Sequence, residues 1–586
     1  MPVFTPPVVD MLFAIEEAGE LARVSSLPDY EEATPDLVTA VLAEAGRFGA
    51  EVLAPLNAIG DREGCHLDNG RVTLPNGFAA AYRQFVDGGW NAVPFNPDHG
   101  GQGLPWLVAT AVQEIWHAAN MSFGLIPMLT QGAVECLNEH ATPAIKAMFL
   151  DKLVSGEWTG TMNLTEPAAG SDVGALRSKA EPDGDRWRIR GQKIFITGGE
   201  HDAPSNIIHL VLARVPDAPT GVKGISLFAV PKYLVNPDGS LGRRNDVKCI
   251  KIEEKLGIHG SPTCVMAFGE DEGAVGWLLG KENQGLTLMF TMMNNARLAV
   301  GLEGIAVGER AYQKAVAYAR ERVQHVAIIN HPDVRRTLLT SRALVEATRA
   351  LAYYTASRID ISKRHPDADL RAHTHARVEL LTPVVKAWGT ASGIQVADMA
   401  IQVFGGMGYI EESGVAQHLR DARITAIYEG TNGIQAMDLV NRKLLRDGGA
   451  AFRDLLNEIR TLDAELAAAG SESCTVIRHA LEQAVSAATR AADFIHAGHG
   501  GDAALAGAAA SPFLELVGIT CGGWMMARLA LAAHRRMADG ADDPFLPAKI
   551  ATARFFAEAL LPKTGALLAA VQAGSGSIQA FRDDWF

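Results

Sequence analysis

Glu429 is the residue with the clearest capacity for chemistry. It stands in Ile427-Tyr428-Glu429-Gly430-Thr431-Asn432, after the basic, β-branched run Arg420-Asp421-Ala422-Arg423-Ile424-Thr425 and before a helical repeat that resumes at Ile434. A glutamate at such a break, flanked by apolar residues and a glycine, can be held out of water and aimed into a cavity. Desolvation disfavours the charged form, so the pKa rises toward the range useful to a general base. Its neighbours alone favour the plainer reading of a solvated loop glutamate.

Other groups carry chemistry of their own, each beside a plainer reading. Met162-Asn163-Leu164-Thr165-Glu166-Pro167-Ala168-Ala169-Gly170-Ser171-Asp172 combines small residues, which permit close backbone approach, with the hydroxyls of Thr165 and Ser171. An ordinary loop has the same composition. Phe195 and Thr197, two apart in a predicted strand, share one face and could flank a planar cofactor or fill a half-buried strand. Arg297, after Asn294 and Asn295, and Arg322 could bind phosphate or be solvated helix charges. Gln402 with Gly405, Gly406 and Gly408 could present backbone amides to an anion or form a helix C-cap. His373 and His375, two apart on a predicted helix, point in different directions, so a metal pair is weak. No serine-hydrolase elbow is present.

Three kinds of element must position these groups. Thr34 as N-cap and Pro35 at the first helical position open a helix whose apolar face holds Leu37, Val38, Val41, Leu42, Ala45, Phe48 and Val52. Helical periodicity returns over 106–118 and 143–153, and the glycine-rich turn 97–105 between them lacks a dinucleotide fingerprint. From Trp158 the period shortens: strands are predicted at 186–190, 193–197, 207–215, 224–230, 247–252 and 263–268, without helices between them that would build a parallel sheet. Helices are predicted again over 286–322, 334–363, 373–403 and 433–445. An alanine-rich helical region follows over 452–572, interrupted near 498–507 and 540–547. The expected class is mainly α with a central β domain, a barrel or sandwich. The expected division is a helical domain (1–157), a β domain (158–283), a helical bundle (284–446) and a C-terminal helical extension (447–586).

Bulk properties narrow the function. A chain of 586 residues exceeds one core. Its net charge of −14 argues against nucleic-acid binding. Six scattered cysteines without a Cys-x-x-Cys pair suit a reduced compartment. Asp10, Glu16 and Glu17 spoil a signal or transit peptide, and Pro512 and Glu515 interrupt the most apolar region, 503–527, so stable membrane insertion is not expected. A cytoplasmic location is the expectation.

Read in order, five stretches resemble the acyl-CoA dehydrogenase family. They are Thr165-Glu166-Pro167-Ala168-Ala169-Gly170-Ser171-Asp172; Lys193-Ile194-Phe195-Ile196-Thr197-Gly198; Lys255-Leu256-Gly257 with Ser261 and Thr263; Gln402-Val403-Phe404-Gly405-Gly406-Met407-Gly408-Tyr409; and Arg420 through Ile427-Tyr428-Glu429-Gly430-Thr431. The resemblance spans roughly residues 35 to 445. The helical tail resembles the extra domain of the larger members, including the 3-methylmercaptopropionyl-CoA dehydrogenase type.

The resemblance implies a flavoprotein of fatty-acid β-oxidation type that binds FAD, partly through a neighbouring subunit of a homodimer, and passes electrons to electron-transfer flavoprotein. By position, Met162, Leu164, Thr165, Gly170 and Ser171 would line flavin and thioester, Phe195 would cover the isoalloxazine ring, and Thr197 would hydrogen-bond near its reactive nitrogen. Arg322, Gln402, Gly405 and Gly406 would hold the pyrophosphate, and Thr431 and Asn432 the adenosine side. Ser171, Asn294, Arg297 and Gly430 would contact acyl-CoA. Glu429 takes the position of the base that removes the α-proton while hydride passes from the β-carbon to flavin N5, giving a trans-2-enoyl-CoA. Some members place the base on the helix beside the matching arginine; here that neighbour is Ala296, which cannot serve. Gly433, where glutamine is common, and Asn441, where arginine is common, depart from the family in the adenosine and CoA contacts. Two rivals are an acyl-CoA oxidase of the same fold, distinguished by peroxide formed at the rate of substrate loss, and a catalytically silent acyl-CoA or assembly-binding protein, distinguished by a flavin that no acyl-CoA bleaches.

Overall fold

The helix Pro35–Phe48 opens as its sequence predicts: the Leu37 N–H donates to Thr34 Oγ1 at 3.3 Å, and Val38, Leu42 and Ala45 are buried on its inner face. The computed structural model describes residues 4–586. Two compact units are present, one of Met1–Gly46, Pro105–Ala118 and Arg297–Phe586, the other of Arg47–Leu104 and Ala119–Ala296.

The second unit contains the β domain. Its sheet has eight strands, seven of them in the order Val247–Ile252, Thr263–Phe268, Arg186–Thr197, Ala274–Leu279, Ser226–Pro231, Asn206–Ala213, Trp158–Asn163; Lys179–Asp183 adds to Arg186–Thr197. The long strand Arg186–Thr197 is shared. Its first half pairs with Lys179–Asp183 and Ala274–Leu279, its second half with Thr263–Phe268. This sharing curls the sheet around a core that includes Ile189, Val211, Phe228, Val230, Met266 and Phe268.

Two sequence expectations change in this unit. Trp158–Asn163 and Asn206–Ala213 pair in parallel, a pairing not expected without a crossover helix. The crossover is made by the antiparallel strands between them, which give the chain ample length to return. The stretch expected to be mainly helical also contains a hairpin, His66–Asp68 with Arg71–Thr73. All six cysteines are free thiols.

The first unit is helical. Pro332–Arg364 and Ala368–Phe404 pack along the part of Gly285–Glu321 that begins at Arg297. Gly304 permits their close approach, since a Cβ there would lie 2.6 Å from Thr390 Cα. The C-terminal helices are Ala450–Ala468, Glu472–Gly498, Leu505–Ala538, Phe545–Ala559 and Lys563–Gln572. The breaks expected near 498–507 and 540–547 fall between Glu472–Gly498, Leu505–Ala538 and Phe545–Ala559, while Leu505–Ala538 itself runs on through Pro512 and Glu515. Pro512 lies in the second turn, where losing one hydrogen bond leaves the remaining turns intact. The helix is long and apolar enough to cross a membrane, but 94% of its apolar window is buried inside the protein, and Gly518 and Gly522 lie against Trp388.

Candidate active site

Glu429 sits on a strained turn. The 3-10 segment Arg423–Ala426 ends where the Ile427 and Tyr428 N–H groups both donate to Ile424 O, at 2.8 and 3.1 Å. Glu429 then adopts φ +55° and Gly430 φ +86°. A left-handed conformation costs a non-glycine residue about 1–2 kcal/mol, so surrounding contacts must impose it. At the next position the φ of +86° favours glycine, and a Cβ there would lie 2.7 Å from Gln435 Nε2 and displace the amide that bonds Glu429 O. Thr431 closes the turn by accepting the Ile434 N–H at 3.2 Å as N-cap of Asn432–Asp438.

Buried polar groups from the bundle hold this turn. Lys386 Nζ donates to Gly430 O at 2.7 Å and to Asn432 Oδ1 at 3.0 Å. Asn432 Nδ2 donates to Ala387 O and to Thr390 Oγ1, both at 3.1 Å. Gln435 Nε2 reaches back to Glu429 O at 3.3 Å. Immediately before the base, the Tyr428 hydroxyl donates to Glu303 Oε2.

The electrostatics suit a base. Burial pushes the Glu429 carboxyl up to about 7, against the opposing pull of Arg297 and Lys386. Desolvation is the larger effect, leaving a carboxyl that is substantially ionised yet basic near neutral pH. Glu429 is only half-buried, so a ligand can still reach it. Burial also lowers Lys386, to about 8, and Arg297. Arg297 and Lys386 therefore place positive charge beside the carboxylate.

The other residues singled out in the first unit lie at helix ends. Tyr318 stacks on Phe404 with ring centroids 4.0 Å apart, joining the end of Gly285–Glu321 to the end of Ala368–Phe404. Arg322 and Gln402, at those ends, are exposed. Gly405, with φ +60°, and Gly406 are exposed too, and a Cβ on either would meet nothing within 4 Å. A cation and open backbone at one end of the bundle fit a pyrophosphate. The Asn432 side chain is engaged by Lys386, Ala387 and Thr390.

In the second unit, the Ile194 N–H donates to Thr165 O at 2.9 Å and Lys193 Nζ to Leu164 O at 3.0 Å, which binds the Met162–Ser171 loop to the strand carrying Phe195 and Thr197. Lys193 is itself paired with Glu166 at 2.8 Å. Phe195 is exposed and Thr197 half-buried on either side of buried Ile196, but the strand leading to them is irregular. A bulge shifts the register between Cys264 and Met266, and Phe195 takes φ +60°. The bulge leaves the Phe195 ring 61% exposed, while Thr197 is half-buried. An exposed aromatic face beside a hydroxyl fits a flat heteroaromatic ring. Met162, Leu164 and Thr165 are half-buried, and Gly170, Ser171 and Asn294 are exposed. Among the described residues, no group of three His, Cys, Asp or Glu side chains could hold a metal ion.

Lys386, Gln435 and Glu303 escape the sequence reading. The signal for Lys386 is a lone lysine in the apolar run Leu380-Leu381-Thr382-Pro383-Val384-Val385-Lys386-Ala387-Trp388, since a charge buried in such a run needs partners.

The chain matches the acyl-CoA dehydrogenase N-terminal domain over residues 36–157, the middle domain over 161–270 and the C-terminal domain over 283–444, and an acetyl-CoA dehydrogenase C-terminal like domain over 455–582. It is 47% identical to 3-methylmercaptopropionyl-CoA dehydrogenase of Ruegeria pomeroyi, over 96% of this chain and 97% of the relative. It is 34% identical to a butyryl-CoA dehydrogenase of Syntrophomonas wolfei, covering 97% of each chain. Among solved structures, an acyl-CoA dehydrogenase of Bacillus anthracis complexed with FAD superposes with a TM-score of 0.74 at 19% identity, over 94% of this chain and 89% of that one. Bundle, curled sheet and helical tail thus recur together, and this chain belongs to the acyl-CoA dehydrogenase family, in its larger form with an additional C-terminal helical domain.

Proposed function

We propose that the protein is an FAD-dependent dehydrogenase of acyl-CoA thioesters, with Glu429 as the base that removes the α-proton. The observation that carries this reading is a half-buried carboxyl pushed up to about 7 on a turn held by hydrogen bonds. An α-proton next to a thioester is only weakly acidic, so a base of raised pKa and fixed direction is the chemical requirement. Lys386 and Gln435 fix the direction by bonding the backbone of residues 429 and 430. Gly430 leaves the space beside the base free of a side chain. Arg297 and Lys386 counter the carboxylate charge while the base is ionised. When bound, FAD supplies the acceptor for the hydride that leaves the β-carbon. Phe195 and Thr197 offer it a ring face and a hydroxyl, and Arg322, Gln402, Gly405 and Gly406 a place for phosphate.

The 47% identity to 3-methylmercaptopropionyl-CoA dehydrogenase supports a short acyl chain of that kind as substrate. The family resemblance supports electron-transfer flavoprotein as acceptor, a homodimer, a cytoplasmic setting and a four-part division at 157, 283 and 446. The test is anaerobic mixing of the FAD-loaded protein with acyl-CoAs from short to long, including the 3-methylmercaptopropionyl thioester. Rapid bleaching of the flavin by a short-chain member is expected, and no bleaching by any thioester would exclude dehydrogenation.

A further inference from the structure

Glu303 is a fully buried carboxyl that the mechanism above does not use. It projects from Gly285–Glu321, and its Oε2 accepts the hydroxyl of Tyr428, the residue immediately before the base. Its other oxygen, Oε1, is buried without a hydrogen-bond partner among the described residues. An ionised carboxylate in that position would leave a charged oxygen unsolvated and unpaired, whereas a protonated one fits. The charged and titratable groups that face it are Tyr428 and Glu429 from the turn and Lys386 from Ala368–Phe404; Arg297, on its own helix, acts on Glu429 and Lys386. Lys386 directs its hydrogen bonds to Gly430 and Asn432.

We propose that Glu303 is a positioning residue that stays protonated while Glu429 is ionised, so that the two carboxyls carry a single negative charge, located on the base. Neutral Glu303 anchors Tyr428 and so helps hold the strained backbone at Glu429, one residue on. Its ionisation would place a second negative charge beside the site and oppose the build-up of anionic character on the thioester, which sets an alkaline limit to activity. Burial first, then the charge on Glu429, push Glu303 up to about 8, with the Tyr428 hydrogen bond and Lys386 opposing. Burial keeps the Tyr428 hydroxyl itself protonated throughout.

This inference rests on Glu429 being the base, and its test separates the two claims. Infrared titration of protonated carboxyl groups in the FAD-loaded protein should show midpoints near 7 and 8 in the wild type. Glu303→Gln should lose the upper midpoint and keep the lower. Glu429→Gln, a variant without base function, should lower the Glu303 midpoint, on the order of half a unit, because the like charge is gone. In kinetics, kcat/KM should fall through about pH 8 in the wild type, and this fall should vanish in Glu303→Gln. In Tyr428→Phe, which removes a hydrogen bond to the ionised form, it should move to higher pH. A fall that persists unchanged in Glu303→Gln would assign it to Lys386, whose own value is about 8, and would overturn the proposal. So would a Glu303 midpoint indifferent to Glu429→Gln. Retained flavin reduction in Glu429→Gln would instead refute the base assignment.

Discussion

Glu429 trades stability for basicity. Its folded pKa of about 7 lies above the ordinary 4.5, so between these values the folded state holds a proton that the unfolded state has released. Stability therefore falls as pH rises through this window, and the contribution is complete only below it. Glu429→Gln, which is neutral and of the same shape, should be more stable than wild type by about 3 kcal/mol at pH 8 and indistinguishable at pH 4. Thermal unfolding at the two values measures this; equal or reversed differences would show that burial does not raise the carboxyl. At this scale the sequence was half legible. A glutamate before glycine at a break in periodicity marked a candidate, but its environment comes from Lys386, Glu303 and Gln435, each distant or lying within a helical repeat that gives no sign of where it points. The internal hydrogen bonds of Asn432 were not legible either, since its side-chain chemistry suits a ligand and an internal clamp equally well.

Strands were legible where one face meets water, as in Arg186–Thr197 and the edge strand Val247–Ile252, and also as continuous apolar runs, as in the wholly buried Asn206–Ala213 and Ser226–Pro231. Trp158–Asn163, buried along almost its whole length but carrying two threonines, a glycine and an asparagine, shows neither pattern. The bulge at Phe195 was hidden as well, since a left-handed residue in a strand is usually glycine and nothing in the sequence marks phenylalanine for that conformation. An exposed, strained aromatic ring is costly, and occupancy by a cofactor would justify its retention. Phe195→Gly should therefore raise the stability of the apoprotein by up to about 1 kcal/mol, the relieved strain being partly offset by glycine's chain entropy. The same change should weaken FAD binding about tenfold, the equivalent of one lost stacking contact. Urea unfolding of the apoprotein and flavin fluorescence titration give the two signs; a destabilised apoprotein with unchanged affinity would remove the strain argument.

Across the molecule, the helical tail is tied to the bundle by buried charge as well as by apolar packing. Asp10 on Val8–Glu17 pairs with Lys549 on Phe545–Ala559 and with Arg349 on Pro332–Arg364; Arg349 also meets Glu114 and Glu309, and Lys549 meets Glu346 at 2.9 Å. Asp10→Ala would leave two buried cations short of a partner and should cost about 3 kcal/mol in urea unfolding, whereas exposed pairs such as Arg582 with Asp584 should contribute almost nothing. The tail's helices could be read from periodicity, but this network joins positions more than 500 residues apart and has no local signature. The proposed function turns on one proton transfer to Glu429, and its most direct test is anaerobic single turnover of FAD-loaded wild type and Glu429→Gln with 3-methylmercaptopropionyl-CoA. The account predicts that both bind flavin and thioester, that the wild-type flavin bleaches, and that the variant is slowed by at least about a thousandfold. Bleaching of the variant at close to the wild-type rate would contradict it.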